Sequence, residues 1–135
     1  MRYPIDCENN FSKTYLFWLS RFIRSKITSL SNRQVTNKDR LAKIIQELVR
    51  GFDNIEDLRI LIKEVRNIGL NGAHVYYLPL EKLYGFLMRF GAASMKEIDE
   101  ELLSDFLASE TANLSDATKK NYRIVLNGFF GYLDK

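Results

Sequence analysis

From Phe11 to Leu133 apolar residues recur at intervals of three and four, and no stretch of any length alternates apolar with polar. Such a pattern buries side chains along one stripe of a helix, so the spacing predicts an all-α chain with essentially no sheet. Only Pro4 and Pro79 interrupt it. At 135 residues the chain suits one domain and is long enough to bury a real core.

Six helices are expected. In the first, Phe11, Tyr15, Trp18 and Phe22 form one stripe and Leu16, Leu19, Ile23 and Ile27 the next. That arc is wider than a surface helix needs, which points to deep burial or to packing against another subunit. A polar turn follows, where Ser31 or Thr36 can cap a second helix carrying Leu41, Ile44, Ile45, Leu48 and Val49 and stopped by Gly51. Asp53 with Glu56 reads as a capping box for a third helix, whose Leu58, Leu61, Ile62 and Val65 repeat the period until Gly69. The fourth runs to about Phe90 through Leu80, Leu83, Phe86 and Leu87, and Pro79 favours a start near itself or a kink. In the fifth, Asp99 caps, Ile98 and Leu103 can staple, and Leu102, Phe106 and Leu107 face inward.

The sixth helix is the most informative. Tyr122, Leu126, Phe129, Phe130 and Leu133 share one face, while Lys120, Arg123 and Asn127 point roughly the other way. Ser115 is a good N-cap, and the first turn it opens has free N–H groups and a partial positive charge that attract anions. Lys119 and Lys120 add to that field. The spacing of Leu126, Phe129, Phe130 and Leu133 repeats that of Leu83, Phe86, Leu87 and Phe90, 43 residues earlier. Two matching faces separated by a short acidic helix suggest a pair of related helical hairpins.

The net charge of +3 says less than its distribution. Residues 1 to 40 hold eight Lys/Arg and three Asp/Glu, residues 41 to 110 hold eight and twelve, and residues 111 to 135 hold four and two. If the two ends meet, they form one basic surface on an otherwise acidic body. A single cysteine, Cys7, excludes an internal disulfide framework. With no basic-then-apolar leader, and a longest apolar run of only Tyr15 to Leu19, a cytoplasmic protein with no membrane partner is expected.

Catalysis has little support. His74 is the only histidine, so a His-His or His-Cys metal site cannot be built, and a Cys–His nucleophile pair would have to join it to Cys7. Glu97, Asp99, Glu100, Glu101 and Asp105 suit the start of the fifth helix and its dipole. The seven glycines are scattered and form no phosphate loop. No metal, cofactor or small-molecule substrate is therefore expected. Nucleic acid is better served: Thr118 and Asn121 are candidates for base edges, and Lys119, Lys120 and Arg123 for phosphates. The competing reading is a solvated basic face with Thr118 bonded back to the Ser115 cap.

LSDATKKNYRIVLNGFFGYL, Leu114 to Leu133, resembles the last core helix of the N-terminal core-binding domain of Xer-type tyrosine recombinases and phage integrases. The family pattern there is Leu-Ser-x-x-Thr, then Tyr-Arg and a Leu-Phe-Phe-Tyr-Leu run. KEIDEELLSDFLA, Lys96 to Ala108, resembles the acidic helix before it, and LNGAHVYYLPLEKLYGFL, Leu70 to Leu87, the other half of the family's helical repeat. Residues 11 to 69 are similar, more loosely, to the longer N-terminal region of XerH-like recombinases. His74 stands where the family's Thr is expected, and Tyr76 and Tyr77 replace more polar residues.

The resemblance implies a SAM-like helical bundle over residues 70–135 with extra N-terminal helices over 1–69, which clamps a recombination half-site and lays helices in the major groove. The partner it implies is double-stranded DNA at a dif-like site, with self-assembly into a dimer or tetramer synapse on that DNA. Thr118, Lys119, Lys120, Asn121 and Arg123 match the DNA-facing part of the family pattern, and Ser115, Arg33 and Lys38 are further DNA-binding candidates. Tyr15, Trp18 and Phe22 are the candidates for a protomer interface. The family's catalytic domain, with its Arg, Lys, His-x-x-Arg box and Tyr nucleophile, is not in this sequence, so the chain itself is not expected to cut DNA. The alternative is a helical protein-interaction module with an incidental basic surface.

Overall fold

The computed structural model describes residues 10–29, 35–70 and 72–133, and among them every regular element is helical. In chain order these are α1 (Phe11–Ser29), α2 (Lys38–Arg50), α3 (Ile55–Asn67), α4 (Gly72–Phe90), a 3-10 turn (Met95–Glu97), α5 (Glu100–Glu110) and α6 (Asp116–Leu133). Among the described residues no helix is long and apolar enough to cross a membrane. The chain divides into two compact units, one of Leu16–Leu78 and one made from the described residues up to Tyr15 together with those from Pro79 onward.

In the first unit α2 packs on α3. Leu41, Ile44 and Leu48 of α2 and Ile55, Leu58, Leu61, Ile62 and Val65 of α3 are buried, as their spacing requires. Val49 departs from that expectation and is nearly half exposed, because α2 ends one residue later at Arg50. Gly51 and Gly69 end the two helices with φ of 91° and 112°, a left-handed region that a Cβ would strain.

Two caps differ from the sequence reading. Asn37, not Thr36, caps α2, its Oδ1 accepting the Arg40 N–H at 2.9 Å. Thr36 instead turns back to Ile68, donating its own N–H to that carbonyl at 2.8 Å. Ser31 lies outside the described residues. In α3 the cap is Asn54 rather than Asp53, with Asp57 N–H donating to Asn54 Oδ1 at 2.9 Å. Both shifts have one cause: the asparagine is the residue whose side chain reaches the N–H three positions on while its backbone stays extended.

In the second unit α5 packs on α6. Tyr15 is fully buried against Tyr84 and Phe129, with ring centroids 5.5 and 5.8 Å away. Phe86 meets Phe106 edge to face at 5.5 Å. Asp99 caps α5 as expected, accepting from Leu102 N–H at 2.8 Å. Glu97 serves a separate capping box with Ser94 around the 3-10 turn and accepts the Ser94 N–H at 2.8 Å.

Helix α4 corrects the expected start near Pro79. It begins at Gly72 and carries Pro79 inside. Proline there removes one helical hydrogen bond, a cost of about 3 kcal/mol in an ordinary helix interior. Ala73 and Tyr77 before it, and Leu80, Leu83 and Leu87 after it, are all buried at helical spacing, and burial on both sides outweighs the break. The repeat between α4 and α6 is only partly kept in burial: Leu83 and Leu126 are both buried, Phe86 is half-buried where Phe129 is buried, Leu87 is buried where Phe130 is half-buried, and the last position differs most. Leu133 is buried, but Phe90 is 57% exposed because α4 ends there, at Gly91 with φ of 85°.

Candidate nucleic-acid interface

Helix α6 keeps Tyr122, Val125, Leu126, Phe129 and Leu133 buried. An exposed arc of the helix is open to another body. Lys120, Arg123, Ile124, Asn127, Gly128 and Gly131 are exposed, while Lys119 and Asn121 are half-buried at the edges of the core stripe. The expected separation of an aromatic inner face from a basic outer one therefore holds. Phe130 sits between them, half-buried with its ring edge-on to Phe129 at 5.1 Å.

Ser115 caps the helix. Its Oγ accepts the Thr118 N–H at 3.2 Å, and its carbonyl accepts the Lys119 N–H at 2.9 Å. The Thr118 hydroxyl lies 2.9 Å from Ser115 Oγ and shares a hydrogen bond with the cap. Thr118 thus organises the turn, with Lys119 and Asn121 half-buried beside it. Asp116 places one carboxylate among the first-turn cations, where the helix dipole favours it.

Lys119 and Arg123 come together on one side of α6. With Ser104, Leu107 and Ala108 of α5 and Thr111 and Ala112 of the following turn they line a hollow of about 350 Å³. Thr111 is buried and donates its hydroxyl to the Leu107 carbonyl, which fixes the turn below the hollow. Glu110, the nearby acid, is drawn away by Arg89 of α4, with which it forms an ion pair. What remains around the hollow is cationic and suited to an anion. Burial, with some help from the Glu110 charge, pushes the Tyr122 hydroxyl above its ordinary range, so it stays neutral.

The other candidates fall elsewhere. Lys38 is exposed at the start of α2, in the other unit, and Arg33 lies outside the described residues. Tyr15, Trp18 and Phe22 are corrected as protomer-facing residues, since they are 0%, 4% and 1% exposed within this chain. Large aromatic surfaces gain most from burial, and the chain's own core takes them. The exposed residues of α1 are Lys13, Arg24, Thr28 and Ser29, a polar face. The departures at the earlier repeat have structural uses: Tyr77 is buried, and the Lys26 ammonium lies 5.1 Å above the Tyr76 ring. Sequence reasoning missed the exposure of Ile124, which no spacing rule flagged.

The chain is 47% identical over its whole length to tyrosine recombinase XerH of Campylobacter jejuni, covering 38% of that protein. It is 39% identical to XerH of Helicobacter pylori, covering 39% of it. The chain thus spans about two fifths of these relatives. Among solved structures, XerH bound to its difH substrate in a pre-cleavage complex matches with a TM-score of 0.93 at 39% identity, over 99% of this chain and 39% of that one. XerH bound to a palindromic difH substrate in a post-cleavage complex matches with a TM-score of 0.92 at 40% identity, over 99% and 37%. The sequence model of the phage integrase SAM-like domain covers residues 6–135, and the chain belongs to that family.

Proposed function

We propose that this chain is the DNA-clamping module of a XerH-type site-specific tyrosine recombinase and grips a dif-like half-site with the outer face of α6. The single observation that carries the reading is the composition of that face. Lys120 and Arg123 are exposed on it, Lys119 stands beside Arg123 at a hollow drained of acid by the Arg89–Glu110 pair, and the relatives with nearly the same backbone are bound to difH. Cations of this kind hold phosphates and set the register of a helix in the groove. The Ser115 cap adds N–H groups at the same end.

In this reading the chain supplies grip and register, and strand cleavage and rejoining through a tyrosine belong to a catalytic domain beyond residues 1–135. Self-assembly on the paired sites, a part in chromosome dimer resolution or DNA integration, and residence on the nucleoid in the cytoplasm belong to the same proposal, which the kinship with XerH supports. The test is fluorescence anisotropy with a labelled difH duplex across salt concentrations. Three phosphate contacts give a slope of log affinity against log salt of about −3. Binding at low salt that the double change Lys119→Glu with Lys120→Glu removes supports the proposal; no binding at low salt, or binding indifferent to the double change, overturns it.

A further inference from the structure

An apolar side chain stands at the middle of the polar face of α6. Ile124 is 56% exposed, and at 3.6 residues per turn Ala117, Lys120, Gly128 and Gly131 lie within about 40° of it around the axis. Asn127 follows one turn on, also exposed. Core packing does not account for Ile124, since the buried stripe runs through Tyr122, Val125, Leu126 and Phe129. Nor does the chain's own packing demand glycine at Gly131: a Cβ added there meets nothing within 4 Å. A glycine inside a helix is unfavourable against alanine, so its presence on an open face suits the close approach of an outside body.

We infer that Ile124 is a specificity-determining residue that packs on the C5 methyl of a thymine in the major groove. The inference rests on the DNA-clamping reading above and deepens it. The surroundings choose this occupant over a protein. A protein-docking face needs a contiguous apolar patch, whereas Ile124 is isolated among Lys120, Arg123 and Asn127. A single apolar group among cations and an amide is what the major groove asks for. Thymine presents a methyl there, the neighbouring purine presents acceptors and donors that suit asparagine, and phosphates flank both. Ile124 and Asn127 are one helical turn apart, with Cβ atoms about 5 to 6 Å from each other, a spacing that serves neighbouring base pairs. The small residues Ala117, Gly128 and Gly131 leave Lys120, Ile124 and Asn127 as the side chains that project from this arc.

The test compares two labelled difH duplexes, one with thymine and one with deoxyuridine at every thymine position, bound to the wild-type chain and to Ile124→Ala. Deoxyuridine keeps the pairing and the charge and removes only the methyl. The expected result is that the wild type prefers the thymine duplex by about four-fold more than Ile124→Ala does, the worth of one buried methyl group. The exposed position leaves the fold of the variant intact, checked by an unchanged helical circular dichroism spectrum. An equal thymine-to-uridine ratio in the two proteins, with salt-dependent binding retained, overturns the assignment of Ile124 alone. Absence of DNA binding by the wild type at low salt overturns the clamping reading together with it.

Discussion

Tyr15 donates its buried hydroxyl to the carbonyl of Leu80 at 2.6 Å, a hydrogen bond that joins α1 to α4 across 65 residues of sequence. Leu80 is the residue after Pro79, where the helix has already lost one N–H. The same ring packs on Phe129, so one side chain ties the start of the chain to α4 and α6.

Tyr15→Phe keeps the ring and deletes this bond. Loss of a buried hydrogen bond with its carbonyl left in place costs about 1 to 2 kcal/mol. Thermal unfolding followed by circular dichroism should show a midpoint lowered by several degrees, with the helical spectrum below the transition unchanged.

Arg40 grips Glu64 with two nitrogens, Nη2 to Oε1 at 2.8 Å and Nε to Oε2, and also lies 3.5 Å from Glu47. Hydrogen bonding to Arg40, assisted by its charge and opposed by burial, holds the Glu64 carboxyl below its usual range. A carboxyl depressed in the folded state contributes stability that is present above its unfolded value near 4.3 and is lost as pH falls through the lower folded one. Urea midpoints measured from pH 7 downward should therefore fall on the acid side in the wild type. Glu64→Gln should have the lower midpoint at pH 7 and a shallower acid decline. Because both side chains of the pair keep about a third of their surface in solvent, the difference is small and shrinks with added salt.

Ser115→Ala removes the acceptor of the Thr118 N–H and the partner of its hydroxyl together. The expected loss is about 1 kcal/mol of stability, typical of a helix N-cap. Ser115→Asp should restore it, since a carboxylate both caps and suits the dipole. The same carboxylate should weaken difH binding in anisotropy, which separates capping from phosphate attraction.

Arg123 lines the hollow with Lys119, and its side chain is exposed. If a phosphate sits there, Arg123→Ala lowers the salt slope of DNA binding by about one without altering preference among sequences. An unchanged slope places the phosphate contacts elsewhere on α6.

The apolar period alone was enough to read the class and nearly every element: six helices, their inner faces, the stops at Gly51 and Gly69 and the caps Asp99 and Ser115 are local patterns of 3.6-residue spacing and short-range hydrogen bonding. The choice between Thr36 and Asn37, or Asp53 and Asn54, was not legible in the same way. Adjacent polar residues are equally able caps, and the turn geometry selects one. The same locality let the residues from Leu114 to Leu133 carry the family resemblance, since a helix with its cap and face is written in consecutive letters.

Tertiary structure decided the rest. The helix through Pro79 survives because buried residues lie on both sides of it, and Tyr15, Trp18 and Phe22 are core rather than surface because the chain's own aromatics and helices cover them. The hollow of Lys119 and Arg123 exists only where α5 lies beside α6, and the pairing of Arg89 with Glu110 clears its charge. Ile124 reads in sequence as one more apolar residue of α6, next to a buried Val125. Periodicity can say that a helix has an inner face, but how wide that face is depends on what packs against it, and this leaves Ile124 on the outside among the residues proposed to meet DNA.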